Sequence, residues 1–268
     1  GSTVREKLGI EFPGVALPVT YLATEGDIRG DLERGSVHYF MRAAGSMVMA
    51  PLRGGNVRMG APIPEGTELT EATVQKVLRE RGSDGLRAAR LDTITTFTSQ
   101  ERIAATLRHG RCFLAGDAAH TWSPAGGIGA NTGVQDGHNL AWKLAAVVDG
   151  RAAPSLLDSY EQERRPVART LADLTELRQA RRSGHNPQDD EIDDLHWALG
   201  QRYTSAAVLG PPHESVFADE LDLRGLPGTR APHLWLEHDG ERIAVHDLCA
   251  RRFVLLPTGR RGSTPLPR

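Results

Sequence analysis

The sequence predicts an α/β protein whose elements follow an α+β arrangement within this chain. Strand-like runs separated by glycine-rich turns fill residues 14–108, which is typical of a mixed β-sheet layer. Helical stretches follow within 109–183. The remaining residues, 184–226 and 227–268, are rich in loops with a few short strands. The sheet is therefore expected to come first in the chain, with the helices packed after it.

Composition excludes several classes of protein. The 268 residues carry 32 Lys+Arg against 34 Asp+Glu, so the basic surface of a nucleic-acid binder is not expected. No apolar run reaches about 18 residues, which predicts no membrane-spanning helix. The two cysteines, Cys112 and Cys249, are too few for a disulfide framework, and no metal-binding motif occurs. We expect a globular protein of the cytoplasm, since no secretory segment is present.

The sheet layer is predicted from runs rich in apolar and β-branched residues. These runs are 15–24, 36–42, 46–52, 56–60 and 90–98. Arg53-Gly54-Gly55 separates the third run from the fourth and predicts a hairpin. A helix is predicted over 70–81, because Thr70 can cap its start and Gly82 can end it.

Two longer helices are predicted after the sheet layer. Residues 111–115 are first expected to form a buried strand, with Cys112 as a small core residue. A helix then runs from about Ala130 to Val148, and its apolar residues are expected to face the core. Those residues are Val134, Leu140, Ala141, Leu144, Val147 and Val148. The second helix, over 156–182, should kink or break at Pro166.

The last part of the chain gives weaker signals. Residues 183–190 are predicted to be a loop and 191–208 to be weakly helical. A hairpin is expected around Asp239-Gly240, with a further strand at 252–256.

The segment 111–143 carries the clearest chemistry. A strand there delivers Asp117 to its carboxyl end, where ligands bind in open α/β sheets. The glycine-rich loop 124–132 follows, and glycines let a backbone approach a flat or anionic ligand closely. The loop leads into a helix N-terminus, whose free N–H groups suit a phosphate or an anionic heterocycle. Each piece alone is more often a plain turn or cap, but their order indicates a binding site.

These residues resemble the second FAD-binding motif of the single-component (group A) flavin-dependent aromatic hydroxylases, the relatives of p-hydroxybenzoate hydroxylase and phenol hydroxylase. Within that family, the residues of these motifs are most similar to those of actinobacterial polyketide hydroxylases. The motif-carrying segments are 113–120, 124–136, 138–144 and, for the following helix, 160–168. Residues 1–13 are similar to the stretch after the family's Asp-Gly motif, and 227–268 resembles the start of a thioredoxin-like C-terminal domain.

The resemblance implies a FAD-dependent monooxygenase that uses NAD(P)H and O2. Its reaction would be hydroxylation of an aromatic, polycyclic polyketide-like substrate, as in antibiotic biosynthesis, through a flavin C4a-hydroperoxide. Residues 109–183 would be the C-terminal part of a Rossmann-like FAD-binding domain, residues 14–108 the substrate layer, and 184–226 a linker. No catalytic residue can be assigned from the motif.

The resemblance also assigns binding residues by position. Those implied to contact FAD are Gly116, Asp117, Pro124, Gly126, Gly127, Gly129, Ala130, Asn131 and Thr132. The candidate substrate contacts are Phe40, Met47, Met49, Phe97 and Trp122. Methionines in this pattern fit a core as well as an adaptable aromatic pocket.

Several polar residues near the motif have two interpretations. His120 and His138 could act as general bases, but a capping or surface position is favoured. Arg164 and Arg165 are expected to be solvated or to pair with Glu161 and Glu163.

One family feature is missing, namely a Gly-x-Gly-x-x-Gly motif before residue 116. We therefore expect this chain to be part of a larger hydroxylase, inactive by itself, with an N-terminal FAD-binding half as its partner. Gly1-Ser2 fits a start inside such a protein, and residues left by cloning are the other interpretation. Two alternatives stay open: one chain of a split hydroxylase, and a non-catalytic remnant or aromatic-ligand-binding module that lacks flavin.

Overall fold

A computed structural model describes residues 2–124, 127–182, 193–218, 220–238, 240–249 and 253–256. The chain divides into two compact units, Gly1–Glu191 and Ile192–Arg268. The first unit contains the helices α1 Thr3–Lys7, α2 Glu71–Arg81, α3 Ile128–Val148 and α4 Asp158–Arg182. Its strands are β1 Gly14–Arg29, β2 His38–Arg42, β3 Gly45–Pro51, β4 Val57–Ile63, β5 Arg87–Ile103, β6 Arg108–His109, β7 Cys112–Phe113 and β8 His120–Thr121.

Six strands of the first unit form one sheet in the order β2-β3-β4-β1-β5-β8. The α+β fold class is confirmed. Every described pairing in this sheet is antiparallel, where a mixed sheet was predicted. The reason is local, since β2, β3 and β4 follow one another through short turns, and such turns join only antiparallel neighbours. The predicted hairpin between β3 and β4 is confirmed.

The two central strands are longer than their predicted cores. β1 reaches residue 29 and β5 spans 87–103, because they pair with each other along nearly their whole length. Two of the register shifts in this ladder lie near Gly26, where an added Cβ would be 2.1 Å from the carbonyl oxygen of Arg90. Only glycine fits so close to the neighbouring backbone. Gly26 lowers the strand propensity of β1, but the pairing with β5 requires it.

One face of the sheet packs against α2 and forms the larger hydrophobic core of the first unit. The buried residues include Leu22, Ile28, Met47, Met49, Val57, Met59, Val74 and Leu78. The helix has the predicted ends. Thr70 Oγ1 accepts a hydrogen bond from the backbone N–H of Thr73, and the N–H of Gly82 donates to Leu78.

The strand predicted at 111–115 is shorter than expected. Only Cys112 and Phe113 pair, in a hairpin with β6 that turns at Gly110, and Cys112 is exposed where a core position was predicted. Leu114 is the buried residue of this stretch, and it joins a second core with Ala104, Leu107 and Tyr160.

Both long helices are present, but α3 presents a different face to the interior than predicted. Its buried residues are Ile128, Thr132, Asp136, Asn139, Lys143 and Ala146. Three of the predicted core-facing residues are exposed, namely Val134 at 73%, Val148 at 82% and Ala141, whereas Leu140, Leu144 and Val147 are half-buried. The inward face is polar because it meets charged side chains of α4. Helix α4 continues through Pro166 without a break.

The second unit is built from short elements. They are α5 Asp194–Leu199, β9 Trp235–His238, β10 Glu241–Ala244 and α6 Val245–Cys249. The predicted hairpin is confirmed by β9 and β10. Of the weak helix predicted at 191–208, the described residues 193–208 are helical at 194–199, and residues 191–192 lie outside the described ranges. Residues 253–256 form no strand, and the predicted loop 183–190 lies outside the described residues. No helix within the described ranges is long and apolar enough to cross a membrane.

Candidate functional site

A cleft of about 1020 Å³ lies between β5, the Gly116–Ala118 turn and the first turn of α3. Strand β5 contributes residues 97–100 and Arg102, and the opposite wall is built from 117–118, 120–124, Gly127, Gly129 and Ala130. Ser2, Arg5, Glu6 and Phe12 from the start of the chain close one side. The cleft therefore collects one strand of the sheet, one sharp turn and one helix N-terminus.

The sharp turn lies directly on the backbone of α3. Gly116 has φ of 55°, a left-handed conformation that favours glycine. A Cβ added to Gly133 would be 3.2 Å from Gly116 Cα, so two glycines permit this close approach. The turn leaves Asp117 exposed beside the cleft, and its carboxylate has no hydrogen-bond partner among the described residues. A free carboxylate in this position can accept hydrogen bonds from hydroxyl groups of a ligand.

Asp136 of α3 lies fully buried beneath this turn. Its Oδ2 accepts hydrogen bonds from the backbone N–H of Gly116 at 3.0 Å and from His120 Nε2 at 2.6 Å. Its Oδ1 accepts from Arg164 Nε at 2.8 Å. Burial raises the pKa of this carboxyl, but the His120 hydrogen bond and the Arg164 charge outweigh it, so the pKa lies below its ordinary value. The carboxylate is therefore ionised and shared by the turn, β8 and α4.

Both aromatic residues that follow the turn are buried. His120 and Trp122 are 2% and 8% exposed, and their rings stack with centroids 4.6 Å apart. The favoured capping or surface position for His120 was therefore wrong, since the ring is fixed by Asp136 on one side and Trp122 on another. His138 is exposed, as favoured.

Several buried polar atoms along the cleft have no hydrogen-bond partner within the part of the chain that the structure describes. They are Ser99 Oγ, Arg102 Nε, Thr121 Oγ1 and Trp122 Nε1. Ser99 is a buried residue, and Trp122 Nε1 lies 3.5 Å from where a Cβ of Gly129 would be. Unpaired buried polar atoms are rare in folded proteins, and their concentration here indicates a surface made for a polar ligand.

The N-terminus of α3 points its first turn toward the same cleft. Gly127 is the N-cap residue, in a left-handed conformation and without a side-chain cap. The side chains of Asn131 and Thr132 instead donate back to the carbonyls of Gly127 and Ile128, at 3.0 and 2.9 Å. Uncapped N–H groups and the helix dipole together favour negative charge at this position.

A second buried ion pair joins α3 to α4 farther from the cleft. Lys143 Nζ donates to Glu163 Oε2 at 2.6 Å and to Asn139 Oδ1 at 2.8 Å. Burial lowers the pKa of Lys143 despite its bond to Glu163. The prediction that Arg164 is solvated or paired with its neighbouring glutamates was wrong, because Arg164 is fully buried against Asp136.

Other contacts of α4 hold the segment that leads to the turn. Glu161 Oε2 accepts from Thr106 Oγ1 and from the N–H of Leu107. Tyr160 donates to the carbonyl of Leu114 at 2.7 Å. Arg5 also donates to the carbonyl of Ala118 at 2.9 Å, with its guanidinium 3.7 Å from the centre of the Phe12 ring. The turn is therefore held from α3, α4 and the start of the chain.

The structure brings together most of the residues that the sequence indicated as cofactor contacts. Asp117, Pro124, Gly127, Gly129 and Ala130 line the cleft, and Gly116 forms the turn itself. Asn131 and Thr132 lie on the first turn of α3, with Thr132 fully buried. Gly126 lies outside the described residues.

The candidate substrate contacts divide into two groups. Phe97 and Trp122 line the cleft, and Phe97 also stacks on Tyr21 of β1 with centroids 5.2 Å apart. Met47 and Met49 lie in the core between the sheet and α2, with Phe40 packed against it. These three do not line the cleft, because their positions alternate onto the opposite face of the sheet. Met47 and Met49 are therefore core residues, which is one of the two interpretations that the sequence allowed.

Sequence reasoning gave no role to Asp136, Arg5 or Ser99. The signal for Asp136 is the polar series Thr132, Asp136, Asn139 and Lys143, whose spacing of four, three and four residues follows one helix face. Arg5 and Ser99 have no local signal, because both depend on long-range packing.

Comparison with known proteins identifies one family. The family described as FAD binding domain matches residues 1–175. Tetracenomycin B2 monooxygenase-dioxygenase from Streptomyces olivaceus is 50% identical over 168 residues, which cover 61% of this chain and 30% of that protein. 6-Methylpretetramide 4-monooxygenase from Streptomyces rimosus is 40% identical over 179 residues, covering 65% of this chain and 32% of that protein.

A solved structure shares the fold. A ternary complex of aklavinone-11 hydroxylase with FAD and aklavinone superimposes with a TM-score of 0.80 at 31% identity. The match covers 92% of this chain and 49% of that one. The chain thus spans about a third of the length of these curated relatives and about half of the solved chain.

Proposed function

This chain belongs to the FAD binding domain family, and on that basis we propose that it is the substrate-facing and flavin-facing part of a FAD-dependent aromatic hydroxylase. The observation that carries the proposal is the free carboxylate of Asp117 beside the uncapped N-terminus of α3, on a wall of glycines. The two curated relatives are named for tetracenomycin B2 and 6-methylpretetramide as monooxygenases, and the solved relative is named an aklavinone hydroxylase. This supports a polycyclic aromatic substrate.

The described residues fit the ribityl and isoalloxazine parts of FAD. The Asp117 carboxylate would accept hydrogen bonds from ribityl hydroxyls, and Gly127, Gly129 and Ala130 would border the ring. The unpaired polar atoms along the cleft, Trp122 Nε1 among them, support a polar ligand there. When bound, FAD would supply the redox chemistry: NAD(P)H would provide two electrons, one oxygen atom of O2 would enter the aromatic ring, and the other would leave as water.

The chain's own residues would act by holding charge and excluding water. The first-turn N–H groups of α3 would stabilise negative charge on the pyrimidine edge of the ring, which increases on reduction. Phe97 and Trp122 would give the aromatic substrate apolar walls. The buried His120–Trp122 stack would keep water from that end of the cleft.

A second polypeptide segment is needed for the rest of the cofactor. Without a Gly-x-Gly-x-x-Gly motif, this chain offers no recognised site for the pyrophosphate. The outward stripe of α3 supports such a partner, because Val134, Ala141, Ala145 and Val148 form an exposed apolar row. We propose that a parallel sheet layer bearing the missing motif covers this row, in the same protein or in a separate chain.

Flavin titration tests the proposal. We expect the chain alone to bind riboflavin and FAD weakly and with similar affinity, and to bind FAD tightly once a segment with the Gly-x-Gly-x-x-Gly motif is supplied. Asp117→Asn should weaken both ligands, whereas Asp84→Asn, at another exposed turn, should not. Absence of flavin binding in both arrangements would contradict the cofactor assignment. Tight, stoichiometric FAD on the chain alone would contradict the need for a second half.

One observation favours a second candidate function. The stacked Tyr21 and Phe97 rings lie on the sheet face opposite the α2 core, so a planar aromatic ligand could bind there without flavin. The chain would then be an aromatic-ligand-binding module. Binding of a polycyclic phenol at equal strength with and without flavin would support this alternative.

A further inference from the structure

Asp136 does not line the cleft, yet it contacts two separate parts of the wall opposite β5. One oxygen, Oδ2, accepts from the Gly116 N–H of the sharp turn and from the His120 ring that supports Trp122. The other oxygen is held by Arg164 of α4. Asp136, His120 and Arg164 are each at most 2% exposed. A single buried charge therefore joins the Asp117 turn to the stacked His120 and Trp122 rings.

We infer that Asp136 is a positioning residue for the flavin, acting through Gly116 and His120 while Arg164 fixes its orientation. The inference rests on the proposed function, because it takes the cleft to be the flavin site. Hydrogen bonds that fix the orientation of directly contacting groups are worth far more in a buried, low-dielectric network than at a surface. Gly116 and Gly133 meet without side chains, and the Asp136 carboxylate links this turn to α3 through the Gly116 N–H.

The neighbouring pair Lys143–Glu163 supplies a matched control. Glu163 is also a buried carboxylate between α3 and α4, and it also accepts from a cation on the facing helix. Lys143 lies seven residues, about 10 Å, beyond Asp136 along α3, and it does not line the cleft. A variant of Glu163 therefore perturbs the same helix pair without touching either wall of the cleft.

The first experiment needs no flavin. Hydrogen–deuterium exchange is measured on the full chain as wild type, Asp136→Asn and Glu163→Gln. We expect Asp136→Asn to speed exchange at Gly116 and across 118–123, and Glu163→Gln to speed it only around 139–146. Equal protection of Gly116 in wild type and a folded Asp136→Asn would overturn the inference whether or not the chain binds flavin.

The second experiment uses riboflavin as the probe, titrated by quenching of its fluorescence at a temperature where all three proteins are folded. Asp136→Asn should weaken binding roughly tenfold or more, and Glu163→Gln less than about twofold. Similar losses in both variants would reduce Asp136 to a purely structural role. If wild type binds no riboflavin, the proposed function fails at that point, and the exchange data alone decide whether Asp136 holds the turn.

Discussion

Gly116 and Gly133 meet back to back, with the backbone of a left-handed turn resting on the backbone of α3. A Cβ on Gly133 would lie 3.2 Å from Gly116 Cα. Contacts this short force the neighbour to move, and here the neighbour is the turn that presents Asp117 to the cleft. The two glycines thus tie the conformation of the binding turn to a single helix position.

We predict that Gly133→Ala loses both stability and flavin binding. Overpacking of this kind costs about 1–3 kcal/mol, which exceeds the gain in helix propensity. Gly137→Ala is the matched control, since a Cβ there meets nothing within 4 Å. That variant should gain about 0.5–1 kcal/mol. Urea unfolding measures the stability of both variants, and riboflavin titration measures their affinity for flavin. Equal stability and equal affinity in Gly133→Ala and Gly137→Ala would contradict the prediction.

A second prediction separates the core from the ligand-facing side of the sheet. Met49→Ala should cost about 2–5 kcal/mol of unfolding free energy, because Met49 is fully buried against α2. Phe97→Ala should change stability by less than about 1 kcal/mol, because Phe97 is 44% exposed. Affinity for a planar aromatic ligand should instead decrease more in Phe97→Ala than in Met49→Ala. A Phe97→Ala protein that binds such ligands normally would remove Phe97 from the site.

The third prediction concerns pH. Burial raises the pKa of Glu101 in β5, and the nearby charges of Glu176 and Asp173 raise it further. The folded state therefore holds this proton more tightly than the unfolded state, and the Glu101 contribution to stability decreases as pH rises from about 4.5 through the raised pKa. Glu101→Gln should raise the melting temperature at pH 7 and have little effect below pH 4. A constant difference across that range would contradict the assignment.

The fourth prediction tests the contact between α4 and the segment before the turn. Tyr160→Phe removes the hydrogen bond to the Leu114 carbonyl and leaves a buried acceptor unpaired, which costs about 1–3 kcal/mol. Burial also raises the pKa of the Tyr160 phenol above its ordinary range. Phenol absorbance of the folded protein should therefore titrate identically in wild type and variant at moderately alkaline pH. An additional phenol titrating in folded wild type would show that Tyr160 is solvated.

Short-range signals in the sequence predicted the parts of the fold that depend on neighbouring residues. Thr70 and Gly82 bound α2 as expected, and the Gly54-Gly55 turn joins β3 to β4. The extent of β1 and β5 could not be predicted, because their outer residues are strands only through pairing with each other. The strand at 111–115 was overestimated for the same reason, since apolar character alone does not provide a partner strand.

The candidate site was predictable to the extent that its residues are adjacent in sequence. Asp117 and the glycines of the loop are adjacent, so their order indicated a ligand site. The support beneath them was missed because helix faces were assigned by hydropathy, which places Val134 inward and Asp136 outward. The reverse holds, since Arg164 and Glu163 on α4 make the polar face of α3 the buried one.

Full burial of Asp136 and Arg164 also constrains how this protein can evolve. Removing one partner of a buried ion pair leaves an uncompensated charge, which costs about 3–5 kcal/mol, a large share of a domain's stability. Replacing both partners by apolar residues of similar volume costs far less. Divergence at these two positions should therefore proceed by paired exchange, with single substitutions purged. A lineage that has lost the pair together should also have lost the constraint on His120.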